Sequence, residues 1–365
     1  MAFFTGWAEA LQATRLAIAD SVGVNDPINY QRPTGMLDYL LNPSLNPTNI
    51  QAEMVRQGAN NEFRDVQIRW HQHRCDGDLV TTDASASCTK NNQVRDQLTT
   101  VQPDLFVMDK FTLYEDYLRE NNEAGLDKQT RLTTKFAESM RVCRESMSSQ
   151  LLAKAAGLFG ANPAAEVGAG LYHSFQAIDS NSGVDIGQFD TMVNHQLENY
   201  MTGPLALVGF SGNPRKYFNR LAVGNLNTNA GVNVADIARQ FGALFFQDYS
   251  STANLGNANR VLAFYPGLQQ FFSYNTKAGE FGKSSPDNLI SGVMPDTIHN
   301  FNWDFDISFD RQCTENGGIN GAWVVRVWLY FDIFNIPEAA FGDTYCGSDG
   351  LNDFNGVVGY EMTNA

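Results

Sequence analysis

The sequence is short of cysteine, of long apolar runs and of the motifs that carry catalysis. Five cysteines (Cys75, Cys88, Cys143, Cys313 and Cys346) are scattered over 365 residues without a C-x-x-C pair. That pattern predicts reduced, buried thiols in a protein made in the cytoplasm rather than a disulfide framework. No stretch approaches the ~18 apolar residues that span a bilayer, so no membrane partner is expected. The opening MAFFTGWAEALQATRLAIAD has no basic n-region and no uninterrupted apolar core, and does not read as a secretory signal. Basic residues are scarce too, with 25 Lys/Arg against 40 Asp/Glu and a formal charge of −15. Residues 1–165 hold 16 basic against 20 acidic residues, and residues 166–365 hold 9 against 20. Phosphate contacts need clustered Lys/Arg, so the C-terminal half is a poor candidate for reading nucleic acid.

Apolar side chains are plentiful. Hydrophobic residues make up 43% and aromatic residues 12%, with 25 Phe, which excludes wholesale disorder and supplies a sizeable core. The chain begins with an amphipathic helix candidate, Phe4 to Ala19. A stretch from Asn25 to Asn49 follows, carrying Pro27, Pro33, Pro43 and Pro47, a density that prevents long regular elements and predicts an extended arm with little core of its own. From Phe63 to Cys75, Val66, Ile68 and Trp70 alternate with Gln67, Arg69 and His71, the period of a half-buried strand. A polar segment (Asp76 to Thr100) and a second extended piece (Asp104 to Phe111) complete what reads as a long two-stranded excursion. A lone ribbon is marginal in water, so if it projects it is expected to pack against another subunit.

Leu126 to Phe159 reads as one long helix. Leu132, Phe136, Met140, Cys143, Met147 and Leu151 recur every three or four residues, with Lys135, Glu138, Arg141, Arg144 and Glu145 on the remaining arc. Gly160 and Pro163 stop it. The texture then shifts to short elements rich in Gly and Asn. A helix is predicted over Ile186 to Tyr200 and a buried strand over Leu205 to Phe210. Further helices follow from Pro214 and from a cap at Asn233 or Asp236, then strands at Ala243 to Phe246 and Val261 to Tyr265. Phe301 to Pro337 closes the scheme as a β-hairpin. Phe301, Trp303, Phe305, Ile307 and Phe309 alternate with Asn302, Asp304, Asp306, Ser308 and Asp310, and Glu315 to Gly321 supplies turn residues. The return strand from Trp323 is apolar on both faces and should be central, with Trp328 and Tyr330 covered.

No P-loop, H-E-x-x-H, G-x-S-x-G or G-x-G-x-x-G signature is present. Gly209-Phe210-Ser211-Gly212 is one residue short of a nucleophile elbow and reads as a tight turn. Val167-Gly168-Ala169-Gly170 lacks the strand that should precede a phosphate loop. His71, His73 and Cys75 would share one strand face, and Cys88 could fold back to them. Those residue types suit zinc, a Cys75–Cys88 disulfide is a second possibility, and a solvated polar face is the plainest reading. Asp76-Gly77-Asp78 and Asp349-Gly350 with Asp353 lack the EF-hand register. His173, His195 and His299 are isolated. No catalytic, cofactor or metal residue is nominated, and an enzyme is not expected.

The order of parts resembles the HK97-like fold of tailed-phage major capsid proteins, whose relatives include the encapsulins. An arm, a long β excursion, a spine helix, a Gly-rich lobe and a late hairpin follow one another, and Asn259 to Tyr265 looks like a late A-domain strand. The resemblance implies an α+β chain divided into an N-terminal arm (1–60), an E-loop (61–110), a P-domain spine helix (111–165), an A-domain (166–295) and a P-domain hairpin with C-terminal segment (296–365). It further implies self-assembly into an icosahedral shell of pentamers and hexamers, formed in the host cytoplasm and enclosing double-stranded DNA without sequence-specific binding. An encapsulin-type compartment is the alternative on the same fold, and a zinc protein using the His71–Cys88 region is the alternative from another class. The short stretch before the presumed E-loop implies a separate scaffolding protein or none, and a portal is a further partner.

Overall fold

A computed structural model describes residues 32–42, 45, 51–54, 65–71, 96–114, 128–158, 172–178, 205–209, 243–277, 283–284, 290–296, 298–299, 301–310, 314–315, 318–319, 322–335 and 356–364. Three helices are described: α1 (Gly35–Leu40), α2 (Lys128–Leu158) and α3 (Ser251–Asn254). The strands of the first half are β1 (Gln51–Met54), β2 (Val66–His71), β3 (Asp96–Val101), β4 (Leu105–Tyr114), β5 (His173–Ile178), β6 (Leu205–Gly209) and β7 (Ala243–Gln247). Those of the second half are β8 (Arg260–Phe264), β9 (Gln269–Tyr274), β10 (Lys283–Ser284), β11 (Ile290–Pro295), β12 (Asn302–Asp310), β13 (Thr314–Glu315), β14 (Gly318–Ile319), β15 (Ala322–Asn335) and β16 (Val357–Asn364). The chain is α+β, as its patterning predicts.

The largest sheet is antiparallel and runs β10-β11-β12-β15-β4, with β9 also paired to β15. The hairpin is therefore its centre. β12 pairs with β15 from Asp304↔Trp328 to Asp310↔Ala322, and β4 lies along the other edge of β15 from Ala322↔Tyr114 to Phe331↔Leu105. Alternation puts Trp303, Phe305, Ile307, Val325, Val327, Leu329 and Phe331 on one face, all buried. Against that face lies α2, whose 31 residues make a rod about 46 Å long. Its expected stripe is the one that faces in: Phe136, Met140, Cys143, Met147 and Leu151 are all buried. The Phe136 ring stands edge-on to Phe111 at 5.4 Å and to Phe305 at 6.4 Å. No described helix is long and apolar enough to cross a membrane.

A second sheet runs β5-β16-β8-β6-β7, parallel at β16–β5 and β6–β7 and antiparallel elsewhere. Its inner strands are buried on both faces, with Ala206, Leu207 and Val208 alongside Val261, Leu262, Ala263 and Phe264. The small strands β13 and β14 form a hairpin of their own inside the long turn.

Several expectations are corrected. The excursion is three-stranded, β1-β2-β3, and the strand returning beside β2 is Asp96–Val101 rather than the piece from Asp104. Leu105–Tyr114 instead joins the large sheet. The apolar face of β2 also stays within its own chain, because Val66, Ile68 and Trp70 pack on Leu268, Phe272 and Phe334. The proline-rich stretch is not coreless: α1 buries Met36, Leu37, Tyr39 and Leu40 in the main core. Its prolines shorten the helix without removing its apolar face. Arg144 and Glu145, on the arc of α2 outside its expected apolar stripe, are buried and paired. Asp304 and Asp306, expected on a wet face, are buried as well. Asp304 accepts from the Thr276 and Lys277 backbones, and Asp306 from Arg326. β16, a strand without a clear sequence signal, sits inside the second sheet. The helix candidates at Phe4 to Ala19, Ile186 to Tyr200, Pro214 and Asn233 lie outside the described residues, as do Gly160 and Pro163.

Candidate assembly surface

The polar clusters among the described residues are structural ties. Asp296 accepts from Arg144 Nη1 and Trp303 Nε1, each at 2.8 Å, and from the Ile298 and His299 backbone N–H groups, each at 2.9 Å. Burial alone would raise its pKa, but Arg144, Trp303 and the His299 N–H outweigh that and hold it below the ordinary carboxylate range. Asp248 receives Met36 N–H, the Ser148 hydroxyl, and both the N–H and hydroxyl of Ser250, so it satisfies the first turn of α1 from another element. Lys154 bridges Asp332 at 2.6 Å, tying α2 to the end of β15.

Among the described residues no group of three or more His, Cys, Asp or Glu could hold a metal. His71 closes β2, while His73, Cys75 and Cys88 lie outside the described residues, as do both Asp-Gly clusters, residues 167–170 and His195. Cys143 is a buried free thiol, pushed up to about 12 by burial and by the neighbouring Asp109. His173 sits on β5 beside Tyr360, and His299 lies in the turn before β12. Gly209 ends β6, where a Cβ would press on Val261 at 2.6 Å; Phe210, Ser211 and Gly212 lie outside the described residues.

The feature that remains is the face of the large sheet turned away from α2. The β4–β15 register sets Phe106 opposite Tyr330, Met108 opposite Trp328, Lys110 opposite Arg326 and Thr112 opposite Val324. Opposed residues share a face, so four large apolar side chains adjoin. Phe106 is 39% and Met108 51% exposed, and the Phe106 and Tyr330 rings meet at 4.6 Å. Trp328 and Tyr330, expected to be covered, are half-buried. Beside them lies a shallow basin of ≈ 530 Å³ between Met108, Lys110, Ser308, Asp310, Val324 and Arg326. Arg326 is held by Asp306 at 2.9 Å. Among the described residues no strand pairs with the outer edge of the ten-residue β4. Trp328 and Tyr330 are legible in the apolar return strand, whereas Phe106 and Met108 are not among the residues the sequence pattern points to. The overlooked signal was Leu105-Phe106-Val107-Met108, apolar on both faces of a strand.

Neither a family model nor a curated protein matches this sequence. Solved structures to which the chain is similar include a cyanophage A-1(L) capsid asymmetric unit, at 13% identity and a TM-score of 0.45, covering 93% of this chain and 95% of that one. A structure of Mycobacterium phage Adephagia has the same identity and TM-score and covers 96% and 98%. A virus-like particle from Pyrococcus furiosus is 13% identical with a TM-score of 0.39, covering 96% and 99%.

Proposed function

We propose that the chain is a shell-forming subunit of HK97-like fold, a non-enzymatic capsid protein that associates through the outer face of its large sheet. The observation that carries the reading is the patch of Phe106, Met108, Trp328 and Tyr330 beside the edge of β4 with which no described strand pairs. Phe106 and Met108 are exposed side by side on this face, while the opposite face of the same strands buries Val107, Val327 and Leu329 on the side of α2. Apolar patches of this kind mark association sites, and a strand edge that takes a partner adds backbone hydrogen bonds to the area they bury. The succession of three-stranded excursion, 46 Å spine helix, buried mixed sheet and long central hairpin supports the HK97-like assignment.

In this reading copies close by symmetry into pentamers and hexamers, and many modest contacts sum to a stable container. The division is arm 1–60, excursion 61–110, spine 111–165, lobe 166–295 and hairpin with C-terminal segment 296–365. The shell belongs to a virion assembled in the host cytoplasm, with a portal and, if one is used, a separate scaffolding protein as further partners. A charge of −15 suits enclosing double-stranded DNA without gripping it.

Sedimentation of the purified full-length chain tests the surface. Wild type should run as multi-subunit shells, and Met108→Asp as small species with unchanged circular dichroism. Shells that still close with Met108→Asp would remove this face from the account. Nuclease-protected DNA inside native particles supports the genome container; protein cargo without nucleic acid would replace it with an encapsulin-type compartment.

A further inference from the structure

The outer margin of the large sheet is close to being its own complement. Phe106, Met108 and Lys110 follow one another on the outer face of β4, along the edge with which no described strand pairs. Just ahead of the strand stands Asp104. Its N–H donates to Asp332, which fixes its place, while its carboxylate is 79% exposed and 3.7 Å from Lys154. Arg326, opposite Lys110, is held by Asp306, but Lys110 is exposed and pairs with no carboxylate among the described residues. Gln150 Nε2 reaches the Phe106 carbonyl at 3.3 Å, an exposed bond that a strand N–H can replace. A lysine on an edge strand ordinarily guards against pairing. Here the same segment also carries the acid that can accept it.

We propose that two copies of this chain join their large sheets edge to edge, β4 antiparallel to β4 about a twofold axis, in the register that sets Val107 opposite its counterpart. The pleat restricts the choice. Outer-face residues must meet outer-face residues, because a slip of one residue turns every side chain over. The chosen register places Lys110 opposite Asp104 of the second copy and Phe106 opposite Met108 of the second copy, and the twofold repeats both pairs. A shift of two residues either way sets Lys110 against Gln102 or against Phe106 instead. Opposite charges and paired apolar side chains are what cross-strand neighbours reward. With a formal charge of −15, two copies repel one another, which puts weight on the few cations that face a neighbour. The pairing presupposes the shell reading and gives the register of one contact in it. Being isologous, it links subunits two at a time and so belongs between neighbouring pentamers and hexamers.

Carbodiimide cross-linking of the assembled full-length protein, followed by digestion and mass spectrometry, reads the register without any substitution. The reagent joins a lysine amine to a carboxylate in direct contact and takes up the water lost as the amide forms. Lys110 should be found joined to Asp104. The intervening strand holds these two groups about 20 Å apart within one chain, so the bond reports a contact between copies. Charge reversal is the second arm. Lys110→Asp and Asp104→Lys should each raise the concentration for half-assembly about tenfold, because like charges then stand opposite one another twice. The chain carrying both should return close to wild type. Lys110 without a link to Asp104, or no recovery in the double variant, overturns the pairing. Either result leaves the shell reading standing as long as Met108→Asp still blocks assembly. Shells that close with Met108→Asp, or a wild type that stays monomeric, overturn both.

Discussion

Replacing Arg144 by Met should be among the most damaging single changes in this chain. The Asp296 carboxylate is fully buried and the Arg144 side chain is 6% exposed, so the 2.8 Å bond between them lies inside the core, where α2 meets the turn before β12. Met fills the space of the aliphatic stem but leaves Asp296 charged, buried and dependent on Trp303 and two backbone N–H groups. Breaking such a pair from one side costs about 3–5 kcal/mol, a fall of roughly 1–2 M in the urea midpoint. The sign with pH follows. In wild type Asp296 is held below its ordinary value, so its contribution is complete above ~4 and is lost as pH falls through the folded value. Without Arg144 burial dominates and raises the group, so acidification relieves the defect. Asp296→Asn in the same chain removes the stranded charge and should recover more than half of the loss. Urea unfolding followed by Trp fluorescence is the assay, since Trp303 donates to the same carboxylate. A loss under about 1 kcal/mol for Arg144→Met, or strict additivity in the double variant, would refute the argument.

Other outcomes follow from the core and the thiol. Phe136→Ala empties the space between Phe111 and Phe305 and should cost about 3–5 kcal/mol in the same unfolding experiment. Cys143, buried and pushed up to about 12, should resist iodoacetamide at pH 8 in the native protein and react only once urea unfolds the chain.

Much of the fold was legible because its main elements bury one face each. The stripe from Phe136 to Leu151 and the alternation from Phe301 to Phe309 are direct records of burial, and both lie where the pattern puts them. Val66, Ile68 and Trp70 are legible for the same reason. What failed was partner choice. Asp96–Val101 (DQLTTV) carries too few apolar residues to announce a strand, so the more apolar Leu105–Tyr114 was matched to β2 in its place. Asp304 and Asp306 read as solvent-facing because acidic residues normally are, yet the 275–277 turn and Arg326 supply their donors from a distance. α1 was hidden by composition: Gly35 and four nearby prolines look like coil, while its first-turn donors are satisfied by Asp248, more than two hundred residues away. The outer patch was half visible, since Trp328 and Tyr330 stand out in an apolar strand, but Phe106 and Met108 gain meaning only from the register with β15.

Electron cryomicroscopy of the purified full-length protein tests the central claim most directly. The account predicts closed icosahedral shells in which the face bearing Phe106, Met108, Trp328 and Tyr330 is covered by a neighbouring copy. Small monodisperse particles of one or a few subunits, or shells in which that face lies bare to solvent, would contradict it.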